Sequence, residues 1–251
     1  MSSRQKKDLV DTRIYEKALS DVGAEDYDYH AQDWDDEHKY FVSVRWGRKF
    51  RGLYLDFGCG TGLVGKNLIV VGREVVGVDI SRRMCIVAKR KHGIQAVVAD
   101  GLHLPFKNYG FSVVCVSGVL HHLRQQLGEV FAELGRCSSE AICIIEPSST
   151  PPLIVIRVVR FFNKVYDGVM FQMLFKHRKD KYTFSVYEGP VDPLELERLC
   201  VKNSFKVVEV RFFNHVPGLR KIRNERLRKH LINSLISLSH GSDVEIIAER
   251  F

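Results

Sequence analysis

Two hundred and fifty-one residues and 28.8 kDa suit one larger domain, or one domain carrying an insertion. A hydrophobic share of 45% and a charged share of 27% are ordinary globular usage and exclude a disordered or fibrous chain. The 38 Lys and Arg against 30 Asp and Glu leave a net charge of +8, which points to an anionic partner: RNA, a membrane surface or an acidic small molecule.

Six cysteines (Cys59, Cys85, Cys115, Cys137, Cys143 and Cys200) occur singly, without a C-x-x-C pair, so no metal site is expected. Several lie in apolar runs such as "FSVVCVSG" and "AICIIE", as reduced, buried thiols do. The opening "MSSRQKKDLVDTRIYEKALS" has no apolar core of a secretory signal. No run of 18 uncharged apolar residues exists, so the expected compartment is the cytoplasm.

Residues 1–50 read as an N-terminal helical lid segment, and residues 51–251 as the main domain. Within the lid, eight acids between Asp21 and Glu37 surround Tyr27, Tyr29, His30 and Trp34, a composition that suits a segment packing over a cleft. From Leu53 onward, apolar runs alternate with helical stretches. Strands are expected at 53–58, 74–80, 94–100, 111–118 and 139–147, and helices at 61–72, 81–93 and 123–137. Ser81 reads as an N-cap and Gly93 as the residue ending the same helix. After Pro151-Pro152 comes a long apolar and basic stretch, then a helix at 192–203, a strand at 205–213, a basic helical segment at 218–241 and a last strand from Ser242. Continuous apolar strands separated by helices mean parallel β-α-β units and an α/β fold covered on both faces.

The segment Leu55-Asp-Phe-Gly-Cys-Gly-Thr-Gly62, with Asp79 seventeen residues further on, carries the chemistry. Alternating glycines after a strand let the backbone turn tightly and approach a ligand closely. Asp79 ends the next strand, where a carboxylate can take both hydroxyls of a ribose. The residue three after Gly60 is Leu63, so the dinucleotide pattern G-x-G-x-x-G is not met. Asp56 beside the loop would repel a pyrophosphate and suits a ligand carrying an ammonium and a sulfonium.

"LDFGCGTG" resembles motif I of the class I S-adenosylmethionine-dependent methyltransferases, and "VVGVDIS" their ribose-binding strand end. "ADGLHLPFKNYGFSVVCVSGVLHHL" is similar to the stretch covering their third and fourth strands, in the wording of the ubiquinone/menaquinone-type small-molecule subfamily. The likeness covers roughly residues 50–150. It implies a Rossmann-like, seven-stranded, mostly parallel sheet whose last strand (243–249) inserts antiparallel beside the fifth, and S-adenosylmethionine as cofactor.

The resemblance also implies roles. Gly58, Cys59, Gly60 and Gly62 would surround the methionine part, with Asp56 near its amino group. Asp79 would hold the ribose and Ile80 would lie against adenine. Asp100 would accept from the adenine amino group, with Gly101 and Leu102 alongside, and Ser117 and Gly118 would face the methyl-transfer site. One departure exists: "GLHLPFKNYGFS" lacks the acidic linker common before the fourth strand.

The cofactor's methyl group is already activated, so positioning is the protein's main task. A hydroxyl or acidic carbon would also need a base, for which His121, His122 and Glu146 are the candidates. The apolar insertion at about 152–190 suggests a small or lipid-like acceptor, and residues 153–175 a peripheral membrane contact, with Arg157, Arg160 and Lys164 on one helical face. Arg220, Lys221, Arg223, Arg226, Arg228 and Lys229 leave RNA as an alternative partner, although no N-P-P-Y-type motif follows the fourth strand. DNA is not expected, and a catalytically silent cofactor-binding module is the third reading. The sequence carries no signal of oligomeric state.

Overall fold

The structure, a computed structural model, describes residue 24 and residues 39–148, 190–213 and 243–251. The Tyr27–Trp34 aromatics, residues 152–189 of the insertion with its 153–175 contact, and the 220–229 basic cluster lie outside the described residues.

A helical turn of π type, Tyr40–Trp46, continues into Gly47–Lys49, and the two together are α1. Strand β1 (Leu53–Phe57) leads to α2 (Leu63–Ile69), β2 (Glu74–Asp79) to α3 (Arg82–His92), and β3 (Gln95–Val98) through a loop to β4 (Phe111–Ser117). Two short 3₁₀ turns, Leu120–His122 and Arg124–Gln126, precede α4 (Leu127–Cys137), which feeds β5 (Ser138–Pro147). Helix α5 (Pro193–Lys202), β6 (Phe205–Phe213) and β7 (Asp243–Arg250) complete the described elements.

Seven strands form one sheet in the order β3-β2-β1-β4-β5-β7-β6. The first five pair in parallel, and β7 runs antiparallel to both β5 and β6. The expected fold is therefore observed, including the last strand inserted beside the fifth. Side-chain alternation divides the core between the two faces. Leu55, Phe57, Val114, Val116, Ile142 and Ile144 face α4 and α5, where Val130, Phe131, Leu134 and Leu196 close the layer. Tyr54, Val113, Cys115, Cys143 and Ile145 face the other way, onto Val42, Trp46, Val64 and Leu68 of α1 and α2.

Local signals set the boundaries. Ser81 caps α3 by accepting from Met84 N at 3.1 Å, and Gly93 ends that helix at φ +70°, both as expected. The helix expected at 61–72 is shorter, because Gly62 at φ +92° cannot belong to it and the chain turns again before Gly72 at φ +76°. The helix expected at 123–137 begins as a 3₁₀ turn and becomes α-helical only at Leu127.

Helix α1 lies at the end of the segment expected to be a helical lid, residues 1–50. Its apolar residues pack on the sheet, and a polar network fastens it there. Glu245 of β7, 1% exposed, accepts from Arg45 Nε at 2.8 Å and from Trp46 Nε1 at 2.9 Å. Arg45 also reaches Glu209 of β6 at 2.6 Å. A single turn of helix thus joins the last two strands to the start of β1.

The topology fixes where a ligand can sit. Parallel crossovers are right-handed, so β1-α2-β2-α3-β3 winds outward on one face before the chain returns to the other side of β1 to make β4. The winding direction reverses between β1 and β4. In open α/β sheets the crevice beyond the carboxyl ends at that switch point is the binding site.

Candidate active site

Residues 58–62 leave β1 at the switch point. Gly58 N and Cys59 N both donate to Val78 O, at 2.8 and 3.0 Å, which pins the loop to the end of β2. All three glycines have positive φ: +67° at Gly58, +49° at Gly60 and +92° at Gly62. Each needs that freedom for a different reason. A Cβ on Gly58 would strike the Val119 side chain, and one on Gly62 would lie 2.6 Å from Ile94 Cδ1. Among the described residues, a Cβ on Gly60 would meet nothing within 4 Å. The first and third glycines make room for the protein's own packing, whereas the middle one borders open space.

Asp79, at the end of β2, holds this loop. Its Oδ2 accepts from Gly60 N at 2.8 Å and its Oδ1 from Ser81 N at 2.8 Å. A carboxylate oxygen has more than one acceptor direction, and these bonds orient the group. Asp56 lies behind the loop, 1% exposed, and its Oδ2 accepts from Gly65 N at 3.0 Å in the first turn of α2. Burial pushes the Asp56 carboxyl up to about 7; the Gly65 hydrogen bond opposes this and the neighbouring Asp79 charge adds to it.

Under the loop the Cys59 thiol donates to Gly60 O at 3.7 Å, and the neighbouring Cys85 thiol together with burial raises Cys59 well above its ordinary range. Beyond β3, Asp100 Oδ1 accepts from Leu102 N at 3.0 Å, closing a tight turn that buries Leu102 to 8% exposure. A Cβ on Gly101 would lie 2.6 Å from Phe57 Cζ. The following L-P-F loop is clamped by Arg136, which donates to Phe106 O at 2.6 Å and Leu104 O at 2.9 Å, while Glu133 accepts from Leu104 N at 2.7 Å.

At the end of β4, Ser117 Oγ is buried and makes no hydrogen bond among the described residues. Gly118 has φ +67° with nothing within 4 Å of a Cβ position. The 3₁₀ turn that follows carries His121 and His122, whose ring centroids lie 4.0 Å apart with the planes tilted by 39°. Glu146 does not reach the cleft as a free base would: it is 0% exposed beneath the turn. Its Oε1 accepts from Val119 N at 2.7 Å and Leu120 N at 2.8 Å, and its Oε2 lies 2.9 Å from His121 Nδ1. Among the described residues its polar contacts are all with this turn, and His121 is the one side chain it meets.

The fold thus gathers residues 56–62, 79–80, 100–102 and 117–122 along one edge of the sheet, as the order of β3, β2, β1 and β4 requires. An orphaned buried hydroxyl, two open positive-φ glycines and a prearranged carboxylate are features that a nucleoside carrying an amino acid would complete. Sequence reasoning missed the parts that hold these residues. Val119 fills the space Gly58 leaves, Ile94 packs under Gly62 and Gly65, and Glu133 with Arg136 sets the L-P-F loop. Only the i, i+3 spacing of Glu133 and Arg136 gave any signal of this. Among the described residues, no three His, Cys, Asp or Glu side chains cluster as metal ligands would, and no helix is long and apolar enough to cross a membrane.

Comparison with known proteins agrees with this geometry. The family pattern described as "Methyltransferase domain" matches residues 55–140. The demethylmenaquinone methyltransferase of Staphylococcus saprophyticus is 32% identical over 172 residues, a match covering 63% of this chain and 72% of that protein. The human probable tRNA methyltransferase 9B is 41% identical over 71 residues, which span 28% of this chain but only 15% of that protein. Among solved structures, magnesium protoporphyrin IX methyltransferase from Synechocystis with bound S-adenosylhomocysteine superposes with a TM-score of 0.63. That likeness, at 14% identity, covers 96% of this chain and 100% of the other. A methyltransferase from Archaeoglobus fulgidus gives 0.54 at 22% identity, over 84% of this chain and 94% of that one. With the glycine loop, the acid ending β2 and the 3-2-1-4-5-7-6 sheet in place, the chain belongs to the class I S-adenosylmethionine-dependent methyltransferases.

Proposed function

We propose that the enzyme transfers the methyl group of S-adenosylmethionine to a small or lipid-like acceptor held over the carboxyl ends of β4 and β5. One observation carries the cofactor half of this reading: Asp79 is tied to Gly60 N at 2.8 Å, beside a glycine that faces open space. In this reading Asp79 takes the ribose hydroxyls, and Ile80 and Leu102 flank the adenine. Asp100 accepts from the adenine amino group and Gly101 lets the chain pass close. Gly58, Cys59, Gly60 and Gly62 surround the methionine part, with Asp56 near its amino group. Ser117 and Gly118 border the transferred methyl, and the buried Ser117 hydroxyl gains its missing partner there.

When bound, the cofactor supplies an electrophilic methyl carbon on a sulfonium. The chain's contribution is to hold the acceptor in line, exclude water and take up a proton where one is released. His121 and His122 are the candidate bases. For the acceptor, two observations favour a small or lipid-like molecule. The insertion at about 152–190 is rich in Leu, Ile, Val and Phe, and directly follows β5 in sequence. The relative from Staphylococcus saprophyticus is named for a menaquinone precursor. Residues 153–175 are the segment through which a membrane contact would run, and residues 1–50 the covering segment; Ala24 of that segment is buried against Met84 and Val87 of α3.

RNA is the second reading, favoured by the 41% identity to a probable tRNA methyltransferase over 71 residues and by the net charge of +8. Incubation with methyl-labelled S-adenosylmethionine and separate lipid, small-molecule and RNA fractions of a cell extract decides between them. Label in the lipid or small-molecule fraction supports the proposal. Label in RNA overturns it in favour of the second reading.

A further inference from the structure

We infer that Glu146 is a positioning residue that sets His121 as the proton acceptor of methyl transfer, and that the acceptor is a molecule that loses a proton on methylation, a hydroxyl or an acidic carbon. This rests on the proposed site. The carboxylate of Glu146 is 0% exposed, and everything polar around it that the geometry identifies is a donor. Val119 N and Leu120 N donate to Oε1 at 2.7 and 2.8 Å, and His121 N approaches Oε2 at 3.4 Å. Backbone N–H groups can only donate, so this group is an acceptor throughout.

With Glu146 ionised, the contact of 2.9 Å between Oε2 and the His121 ring has Nδ1–H as its donor. The proton on Nδ1 leaves the lone pair on Nε2, at the far side of a ring that stays 20% exposed. Main-chain bonds also fix where that ring stands. His121 is three residues past Gly118, Gly118 N bonds Ile145 O at 3.0 Å, and Val119 packs against Gly58. The ring thus sits on the edge that carries Ser117 and the glycine loop.

A fully buried carboxylate costs several kcal/mol unless its surroundings compensate. Holding the turn needs only an acceptor, which an uncharged side chain provides. The charge has a use if an imidazolium forms above it. As an acceptor oxygen or carbon bonds to the methyl carbon, the carbon–sulfur bond breaks and its electron pair stays on sulfur. The acceptor's proton passes to His121 Nε2, the imidazolium is balanced by Glu146, and the proton leaves to water. An acceptor with a free lone pair and no proton to lose, such as a thioether, has no need of this pair.

Glu146→Gln separates the two roles of the residue. Its amide oxygen still accepts from Val119 N and Leu120 N, so the turn is kept. Its amide N–H₂ then faces Nδ1 and forces the proton onto Nε2. Ring-nitrogen NMR of the ¹⁵N-histidine-labelled full chain, with His121→Asn used to assign the signal, reads this without any acceptor. The expected result is a bare Nε2 in the wild type and a protonated Nε2 in the Gln variant. A protonated Nε2 in the wild type, or the same tautomer in both, overturns the inference. If the Gln variant does not fold, the wild-type tautomer alone decides.

With the acceptor fraction that takes up label, Glu146→Gln lowers kcat by about 100-fold or more, the scale of lost general-base catalysis, while S-adenosylmethionine affinity stays unchanged. Label recovered on a sulfonium or a quaternary ammonium overturns the acceptor class. Loss of cofactor binding by the wild type would instead count against the proposed function, and the tautomer measurement is independent of it.

Discussion

Gly60 and Asp79, nineteen residues apart, are joined by a hydrogen bond of 2.8 Å from the glycine N–H to the carboxylate Oδ2. The bond makes the loop after β1 and the end of β2 one rigid wall of the crevice. It also separates the glycines by function, because Gly60 borders open space whereas Gly58 lies against Val119. Gly60→Asn, a residue that tolerates the left-handed backbone of φ +49°, should fold with a melting temperature near wild type and lose S-adenosylmethionine binding because its side chain occupies the ligand's space. Gly58→Ala should destabilise the fold by about 1–3 kcal/mol, the range for overpacking. Thermal melting and calorimetric titration of both variants separate the two effects; equal melting temperatures would contradict the distinction.

Ser117 Oγ is buried without a partner, so Ser117→Ala removes no hydrogen bond from the free protein. Its melting temperature should equal or exceed that of the wild type, while cofactor affinity falls by about fivefold, the worth of one modest hydrogen bond. A lower melting temperature without loss of affinity would place the hydroxyl's partner within the protein.

Asp56 gives stability a pH dependence. Its carboxyl is raised from 3.8 to about 7 by burial, so the folded state holds a proton that the unfolded chain releases above pH 3.8. The stability it contributes is full below that value and is lost as pH rises through about 7. Asp56→Asn, which cannot ionise, should flatten the decline in melting temperature between pH 4 and 7. An unchanged slope would mean that other groups dominate that window.

Glu245 is the anchor of α1. It accepts from Arg45 Nε and Trp46 Nε1 while 1% exposed, so Glu245→Ala leaves a largely buried guanidinium with Glu209 as its remaining carboxylate. Breaking such a pair costs about 3–5 kcal/mol. For a chain of this size that corresponds to a fall in melting temperature of roughly 6–20 °C. A change of about a degree would show that apolar packing of Trp46 alone holds the helix.

What the sequence made legible follows from the range of the interactions. Ser81 and Gly93 act through neighbours a few residues away, and Leu55–Gly62 with Asp79 were legible because glycine spacing and an acid at a strand end form a recognisable pattern, although the bond that joins them spans nineteen residues. The five parallel strands were legible because strands buried on both faces are continuous apolar runs. Trp46 with Glu245, Val119 with Gly58 and Glu146 with His121 are pairings between distant segments, which no local pattern reports. Glu146 illustrates the cost of that blindness. An acid at the end of a strand reads as one more group in the cleft, and only its three main-chain neighbours reveal that it faces inward.

The central claim is that Asp79 and the glycine loop bind S-adenosylmethionine, and calorimetric titration of the cofactor into wild type and Asp79→Ala tests it most directly. The wild type should bind one cofactor per chain, and the variant should bind it more weakly by about 1–3 kcal/mol, or roughly five- to 150-fold. Equal affinity in a folded variant would contradict the assignment of Asp79 to the ribose.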